Sequence, residues 1–209
     1  MATSLLLEPP ESRISSLTWK RTRHAYEETK PSPRARKAEL PDAKSIHQLI
    51  DSFTHDGTLL RRSYSEISKN ISTFTIVETD AKQFVGCASL HVYGPHLAEI
   101  RSIVVRPGEV GRGAGSLLVH SLLQQANQAG IKCVCLFTRI PAFFERFHFH
   151  VTEHHLLRDK VRKDCQHCPR RNACDETAMV VGEIPTDNDT FPIEPIHYPH
   201  QGGLVQLQL

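Results

Sequence analysis

The sequence has 209 residues, and its 25 lysines and arginines nearly balance its 23 aspartates and glutamates, for a formal net charge of +2. A charge this small lacks the basic excess typical of proteins that bind nucleic acids or membrane surfaces, so we expect neither partner. No apolar run approaches the roughly 20 residues that a membrane span requires, and we expect a cytoplasmic protein.

Composition divides the chain into three segments. Residues 1–33 combine prolines with charged residues and show no sustained apolar period, which predicts a disordered lead-in. Residues 34–183 carry the periodic apolar patterns of one folded domain. Residues 184–209 contain four prolines and are predicted to form an extended tail.

The first half of the domain is predicted as a strand, two helices and an antiparallel meander. The strand lies near residues 34–39, and Pro41 opens the first helix. One face of this helix carries four apolar residues at helical spacing: Ile46, Leu49, Ile50 and Phe53. Ser63 and Glu66 form a capping-box pair that predicts the second helix, residues 64–71. The strands of the meander follow at residues 74–79, 84–93 and 98–106.

The second half begins with a glycine-rich turn after the third strand of the meander. A helix then ends at Gly130, a buried strand follows at residues 133–137, and Pro141 opens another helix. A last strand is predicted at residues 177–182. Together the two halves predict an α/β (α+β) domain.

The glycine-rich turn carries Gly111, Gly113 and Gly115 at alternate positions. The free amides at the start of a helix and the positive end of its dipole suit an anion such as a pyrophosphate. Glycine lets phosphate oxygens approach the backbone without meeting a Cβ atom, and Arg112 could add a charge. The spacing fits neither a dinucleotide fold nor a P-loop, and a tight connection without a ligand is the alternative.

In this position the turn resembles the motif of the GNAT superfamily of N-acetyltransferases, which is Gln or Arg, two residues, Gly, one residue, then Gly or Ala. Gly113 and Gly115 match it, while Val110 stands where Gln or Arg is usual. The resemblance implies a single domain with a mixed, mainly antiparallel sheet flanked by helices. It implies that amides of the turn hold the pyrophosphate of acetyl-CoA and that Val104 and Val105 pair with its pantetheine arm. The implied cofactor-binding residues are Val104, Val105, Val110, Gly111, Arg112, Gly113, Ala114, Gly115 and Phe144.

Several segments also resemble the stand-alone bacterial N-acetylglutamate synthases. The similar segments are residues 60–63, 85–93, 97–102, 143–146 and 160–176. This resemblance implies transfer of an acetyl group to the α-amine of L-glutamate, the first step of arginine biosynthesis, by direct attack in a ternary complex.

Two segments depart from the pattern of those synthases. Phe147-His148-Phe149 replaces the usual Leu-Gly-Phe, and Thr138-Arg139-Ile140 differs from the common Thr-Tyr-Gln. A GNAT enzyme for another small amine or amino acid is therefore an alternative. A non-catalytic module that binds acetyl-CoA or a metal is a third reading.

Acetyl transfer requires a group that takes the proton of the amine, and Glu99 is the candidate base. It lies on the strand that enters the turn, where several GNAT enzymes carry a catalytic glutamate; pairing with Arg101 is the ordinary alternative. Phe144 stands where many GNAT enzymes have a tyrosine that protonates the departing thiolate, and phenylalanine cannot donate that proton.

An acidic substrate requires cations for its carboxylates, because guanidinium groups bind carboxylates in pairs. The candidates are Arg61, Arg62, Arg101 and Lys160. In the resembling synthases the Arg-Arg-Ser segment lines the glutamate site, and we favour Arg61 over Arg62. We expect a small amino acid as partner and leave a homodimer open.

Cys165, Cys168 and Cys174 have a spacing compatible with a structural zinc ion. The alternative is that they are reduced thiols in a loop over the active site. The other three cysteines lie in apolar runs and are predicted to be buried thiols: Cys87, Cys133 and Cys135.

Overall fold

The computed structural model describes residues 33–186. The predicted lead-in and tail lie outside these residues, apart from residue 33 and residues 184–186. Across the described part of the chain, no helix has the length and apolar character needed to cross a membrane.

Between residues 33 and 186 the chain forms seven strands and five α-helices, joined by turns and short 3-10 helices. The strands are β1 (Arg34–Lys37), β2 (Phe74–Glu78), β3 (Phe84–Gly94), β4 (Leu97–Val105), β5 (Cys133–Thr138), β6 (His150–Val151) and β7 (Thr177–Gly182). The helices are α1 (Ala43–Ser52), α2 (Tyr64–Lys69), α3 (Ala114–Gln128), α4 (Pro141–Glu145) and α5 (Arg158–Lys163). Every element predicted for the domain is present, and β6 and α5 are additional.

All strands belong to one sheet, in the order β1-β2-β3-β4-β5-β7-β6. The β4 and β5 strands are parallel, and every other neighbouring pair is antiparallel. The mixed, mainly antiparallel sheet implied by the GNAT resemblance is therefore confirmed.

Helices cover both faces of the sheet because alternate residues of a strand point to opposite sides. On β2, Ile76 packs in the cluster that contains Ile46 of α1, whereas Val77 packs in the cluster that contains Leu118 of α3. Leu118 is fully buried, which stabilises the fold by roughly 1.5–3 kcal/mol relative to an exposed side chain.

The functional cleft arises where β4 and β5 separate. They pair only at Ala98 with Val134 and at Glu99 with Cys135, near the start of each strand. Further along β4 an extra residue forms a bulge, and Ser102 there adopts a left-handed backbone with φ of 54°. The edge of β4 beyond the bulge therefore faces a gap instead of a partner strand.

The two additional elements give weak sequence signals. β6 is only two residues long, and α5 has the polar sequence RDKVRK with Val161 as its one apolar residue. The predicted capping box is half formed: the Ser63 hydroxyl accepts from the Glu66 amide at 3.1 Å, while the Glu66 carboxylate pairs with Arg62.

Candidate active site

A cavity of about 710 Å³ lies along the end of β4, between this strand and α4, and extends to the start of α3. Most of the residues predicted to bind the cofactor line it: Val104, Val105, Val110, Gly111, Gly113, Gly115 and Phe144. The unpaired edge of β4 along this cavity suits an extended ligand that adds to the sheet as a strand would.

The glycine-rich turn has the geometry of an anion site at a helix N-terminus. Gly111 and Gly113 have φ of 82° and 87°, a left-handed conformation that side chains with a Cβ atom rarely adopt. Gly113 is the N-cap of α3 and no side chain caps the helix, so the first amides of α3 lack an acceptor within it. A Cβ atom at Gly115 would lie 3.2 Å from the Phe143 ring. These features fit the pyrophosphate of acetyl-CoA.

Two residues of the predicted turn site lie away from the cavity. Ala114, the first residue of α3, is buried in the core, and Arg112 pairs with Glu109 at 3.1 Å on the surface. A cation that sequence reasoning missed, Arg146, lines the cavity instead, with its guanidinium carbon 4.8 Å from the centre of the Phe143 ring. Arg146 ends the segment 143–146 that resembles the synthases, and this resemblance was the one sequence feature that could have indicated it.

A second cavity of about 220 Å³, the acceptor pocket, adjoins the first. The two share part of their lining: Thr58, Leu59, Ile103, Ile140 and Phe144. The acceptor pocket is bordered by four cationic side chains, Arg62, Arg101, Arg139 and Lys160, and by two carboxylates, Glu99 and Glu176. Within the lining the cations outnumber the carboxylates by two, and Glu66, Asp164 and Asp175 pair with three of these cations from outside the lining.

Glu99 lies in the acceptor pocket but is almost fully buried, and donors surround its carboxylate. Oε1 is 2.7 Å from Nζ of Lys160. Oε2 lies 2.8 Å from the Tyr93 hydroxyl, whose single proton is shared with Asp164, and 3.8 Å from the Arg101 guanidinium. Both pairing with Arg101 and proximity to the pocket are thus observed, and the role of Glu99 as base stays a prediction.

Asp164 continues this network from the end of α5. Its carboxylate lies 2.5 Å from the Tyr93 hydroxyl and 3.3 Å from both Arg101 and Lys160. Burial raises the pKa of Asp164, but the hydrogen bond from Tyr93 and the two cations outweigh it, so the pKa is lowered. Burial likewise lowers the pKa of Lys160, but Glu99 and Asp164 reverse that effect and raise it. Both groups are therefore held in their charged forms.

The two adjacent arginines of the Arg-Arg-Ser segment have different environments. The Arg61 side chain is 80% exposed, lies 3.5 Å from Asp51 and is absent from the pocket lining. The Arg62 side chain lies in the pocket wall, and its Nε donates to the Ser102 hydroxyl at 2.9 Å. The structure therefore places Arg62 in the acceptor pocket, although the sequence favoured Arg61.

The predicted zinc site is not formed by the cysteine segment. Considering residues 33–186, no group of three or more histidine, cysteine, aspartate or glutamate side chains could hold a metal ion. Cys165 and Cys168 stand at opposite ends of a 3-10 turn, and a second such turn precedes the exposed Cys174. The three thiols are free, and the alternative of reduced thiols in a loop fits this arrangement.

The remaining cysteines are buried as predicted. Burial raises the pKa of Cys133 to about 11 and raises the pKa values of Cys87 and Cys135 further. These thiols are inert at neutral pH, which argues against covalent catalysis through them.

Residues 20–149 match the acetyltransferase (GNAT) family. The chain is 34% identical over 145 residues to an uncharacterized N-acetyltransferase of Chlorobaculum tepidum, which covers 69% of this chain and 93% of that protein. It is 32% identical over 119 residues to an amino-acid acetyltransferase of Mycobacterium tuberculosis, which covers 56% of this chain and 68% of the relative.

The fold is similar to that of N-acetylglutamate synthase from Neisseria gonorrhoeae, solved in complex with coenzyme A and N-acetyl-glutamate. The TM-score is 0.65 at 26% identity, and the match covers 74% of this chain but only 35% of that chain. From the family match over most of the described domain, together with the sheet and turn described above, we conclude that the chain belongs to the GNAT family of acetyltransferases.

Proposed function

We propose that this acetyltransferase moves the acetyl group of acetyl-CoA to the α-amine of L-glutamate. The observation that carries the proposal is the acceptor pocket, where four cationic side chains meet the end of the cofactor cavity. In this reading the protein catalyses the first step of arginine biosynthesis, as the resembling synthases do.

The cofactor cavity would hold acetyl-CoA with its thioester directed toward the acceptor pocket. The amides at the start of α3 would bind the pyrophosphate, and Arg146 adds a positive charge on the same cavity. The unpaired edge of β4 at Val104 and Val105 would bind the pantetheine arm, which leads the thioester toward the acceptor pocket. Such positioning converts a bimolecular reaction into an effectively unimolecular one.

The acceptor pocket supplies charge complementarity. Glutamate carries two carboxylates, and Arg62 and Arg101 offer guanidinium groups that can bind carboxylates in a bidentate manner. Ser102 and Glu66 hold Arg62 in place, and Asp164 holds Arg101, so both side chains are positioned before the substrate binds. The relative named amino-acid acetyltransferase supports an amino acid as acceptor, and the synthase solved with N-acetyl-glutamate supports glutamate.

The test is release of CoA from acetyl-CoA by the purified full chain, measured with each of the twenty amino acids. Release stimulated most strongly by glutamate supports the proposal. Release with a different amine instead would identify a GNAT enzyme with another acceptor. Tight binding of acetyl-CoA without release at any acceptor would identify a non-catalytic module.

A further inference from the structure

Glu176 precedes β7, and it lies in the wall between two cavities. One is the acceptor pocket, and the other is a small cavity lined by Cys168 and Cys174. The main chain here is fixed, because Thr177 pairs with Thr138 of β5 and the Glu176 carbonyl lies 3.1 Å from Nε2 of His154. The backbone of Glu176 is therefore held in a fixed place in the pocket wall. In the sequence Glu176 only ends the segment 160–176 and is not predicted as a site residue.

The Glu176 carboxylate differs from its neighbours in having no ion-pair partner. Throughout residues 33–186, no cationic side chain lies within 4.0 Å of it and no side chain donates a hydrogen bond to it. The nearest cations are engaged elsewhere: Arg139 pairs with Asp175 at 2.9 Å, and Lys160 pairs with Glu99 at 2.7 Å.

Glu99, the base predicted from the sequence, has the opposite environment. Lys160 contacts one of its oxygens, and the other faces the Tyr93 hydroxyl, whose single proton is shared with Asp164. Glu99 is almost fully buried, and removing its carboxylate from Lys160 would leave the cation without this partner. These contacts suit Glu99 to positioning Lys160 within the pocket.

We propose that Glu176 is the general base of the acetyl transfer and takes a proton from the ammonium group of the acceptor. The proposal rests on the acetyltransferase function proposed above, but it does not depend on which amino acid is the acceptor. A carboxylate that lines the acceptor pocket and has no ion-pair partner among residues 33–186 is available to a substrate proton.

The step balances as follows. The ammonium nitrogen of the acceptor gives one proton to a carboxylate oxygen of Glu176, and its lone pair then forms a C–N bond with the thioester carbonyl carbon. The C–S bond breaks with its electron pair on the CoA sulfur, which takes up the second proton lost by the nitrogen. Glu176 returns its proton to solvent, so the products are the amide, CoA thiol and one released proton.

The electrostatic surroundings of Glu176 agree with this role. Burial raises its pKa, Arg139 and Lys160 oppose that effect, and Asp175 and Glu99 add to it, so that the net pKa is raised above the ordinary glutamate value. The other titratable groups that face it belong to the cysteine segment and the turn before α5: Cys168, Arg170, Cys174 and His154. A raised pKa brings a general base closer to neutral pH, where it works best.

The test compares the pH dependence of kcat/KM for the wild type, Glu176→Gln and Glu176→Asp, using the amino acid that is acetylated fastest. Glu176→Gln should lower the rate by about 10²–10⁴-fold near pH 7, the usual contribution of a general base, and Glu176→Asp should retain part of it. The matched control is Glu183→Gln, at the opposite, exposed end of β7, which should match the wild type.

The ratio between wild type and Glu176→Gln separates proton transfer from a structural role. Without a base, the variant requires acceptor that is already deprotonated, so the deficit should shrink about tenfold per pH unit as the pH rises toward the pKa of the amine. A deficit that is constant with pH, or a Glu176→Gln rate within threefold of the wild type, would overturn the proposal.

Two further variants keep the outcome decisive. Glu99→Gln should raise KM for the acceptor and leave the acid limb of the pH profile in place, since we assign Glu99 to positioning. If Glu176→Gln does not fold, Glu176→Ala with added formate should recover activity, and an absence of recovery in a folded variant would count against the proposal. Absence of transfer to any amine by the wild type would overturn the proposed function and this inference together, whereas transfer that persists without Glu176 overturns this inference alone.

Discussion

Neighbouring residues with the same chemistry have different surroundings in this protein, and Arg61 and Arg62 are the sharpest case. The two side chains precede the same helix, α2, yet only Arg62 lies in the acceptor pocket, where it bonds to Ser102 and Glu66. The two arginines are adjacent in the sequence, so their neighbours do not tell them apart. The direction of the chain before α2 determines which side chain enters the pocket.

This difference predicts the effects of two matched variants. Arg62→Ala should raise KM for glutamate by at least tenfold, because a charge-assisted hydrogen bond contributes roughly 1.5–3 kcal/mol. Arg61→Ala removes the same charge from an exposed position and should change KM by less than twofold. Steady-state kinetics with glutamate as the varied substrate measures both, and equal effects of the two variants would refute the assignment of Arg62.

His148 is expected to lower the stability of the folded protein, because it is a non-glycine residue in a left-handed turn. It stands where the resembling synthases have glycine, and it adopts a left-handed backbone with φ of 65° on an exposed surface. A side chain with a Cβ atom pays about 1–2 kcal/mol for this conformation, and glycine pays roughly 0.5–1 kcal/mol in chain entropy. His148→Gly should therefore stabilise the protein by about 0.5–1 kcal/mol in urea unfolding.

The control for this prediction is His148→Ala, which removes the imidazole but keeps the Cβ atom and should give no gain. If His148→Ala stabilises the protein as much as His148→Gly does, the strain lies in the side chain and not in the backbone.

At the level of whole elements, the active site depends on one helix start and one strand separation. The start of α3 offers amides because Gly113 caps it without a side chain, and the cofactor cavity opens because β5 leaves β4 after Glu99. Both features follow from backbone conformation, so both are sensitive to single substitutions that the core would tolerate.

Comparing Gly113 with Gly130 separates the effect of a glycine on backbone strain from its effect on acetyl-CoA binding. They lie at opposite ends of α3, have φ of 87° and 69°, and neither would bring a new Cβ atom within 4 Å of another group. Substitution by alanine should therefore destabilise both sites to a similar extent, about 1–2 kcal/mol. Only Gly113→Ala should weaken acetyl-CoA binding, by roughly tenfold in calorimetry; equal affinities for the two variants would contradict the anion site at this turn.

Most strands and helices of the domain can be predicted from the sequence. Alternating and helical apolar periods are local, and they correctly identify β2, β3, β4 and α3. The α5 helix carries one apolar residue, Val161, and its position is set by tertiary contacts, so no local period could reveal it.

The candidate site is predictable only in part, for the same physical reason. Glycines at a helix start favour an anion site, with a tight connection as the alternative, and a cavity lies beside them in the structure. The surroundings of Glu99 depend on Lys160 and Asp164, which lie more than sixty residues further along the chain, and spacing carries no signal of such contacts. Glu176 was not predicted as a site residue, because the pairing of β7 with β5 places it in the pocket wall and sequence spacing does not reveal that contact.

At the level of the whole molecule, a half-buried network of charged and polar side chains joins the sheet to α5 beside the acceptor pocket. Tyr93 and Arg101 come from β3 and β4, Lys160 comes from α5, and Asp164 follows that helix. These contacts tie distant parts of the chain together, so the network contributes to stability and holds the pocket wall in place.

The lowered pKa of Asp164 gives this contribution a pH dependence. A carboxylate whose folded pKa is below its unfolded value, about 3.9, stabilises the fold fully above that value and loses the effect as the pH falls through the folded pKa. Asp164→Asn should therefore lower the free energy of unfolding at pH 6.5, and the difference from wild type should shrink at pH 3 in urea titrations. A difference of the same size at both pH values would show that Asp164 is not acting through its charge.

The proposed preference of this acetyltransferase for an acidic amino acid is best measured as kcat/KM for glutamate against glutamine. The two acceptors have nearly the same size and differ in the charge of the side chain, which the cations of the acceptor pocket would bind. We expect a preference for glutamate of at least tenfold that falls toward unity in Arg62→Ala. Equal or better use of glutamine by the wild type would contradict it.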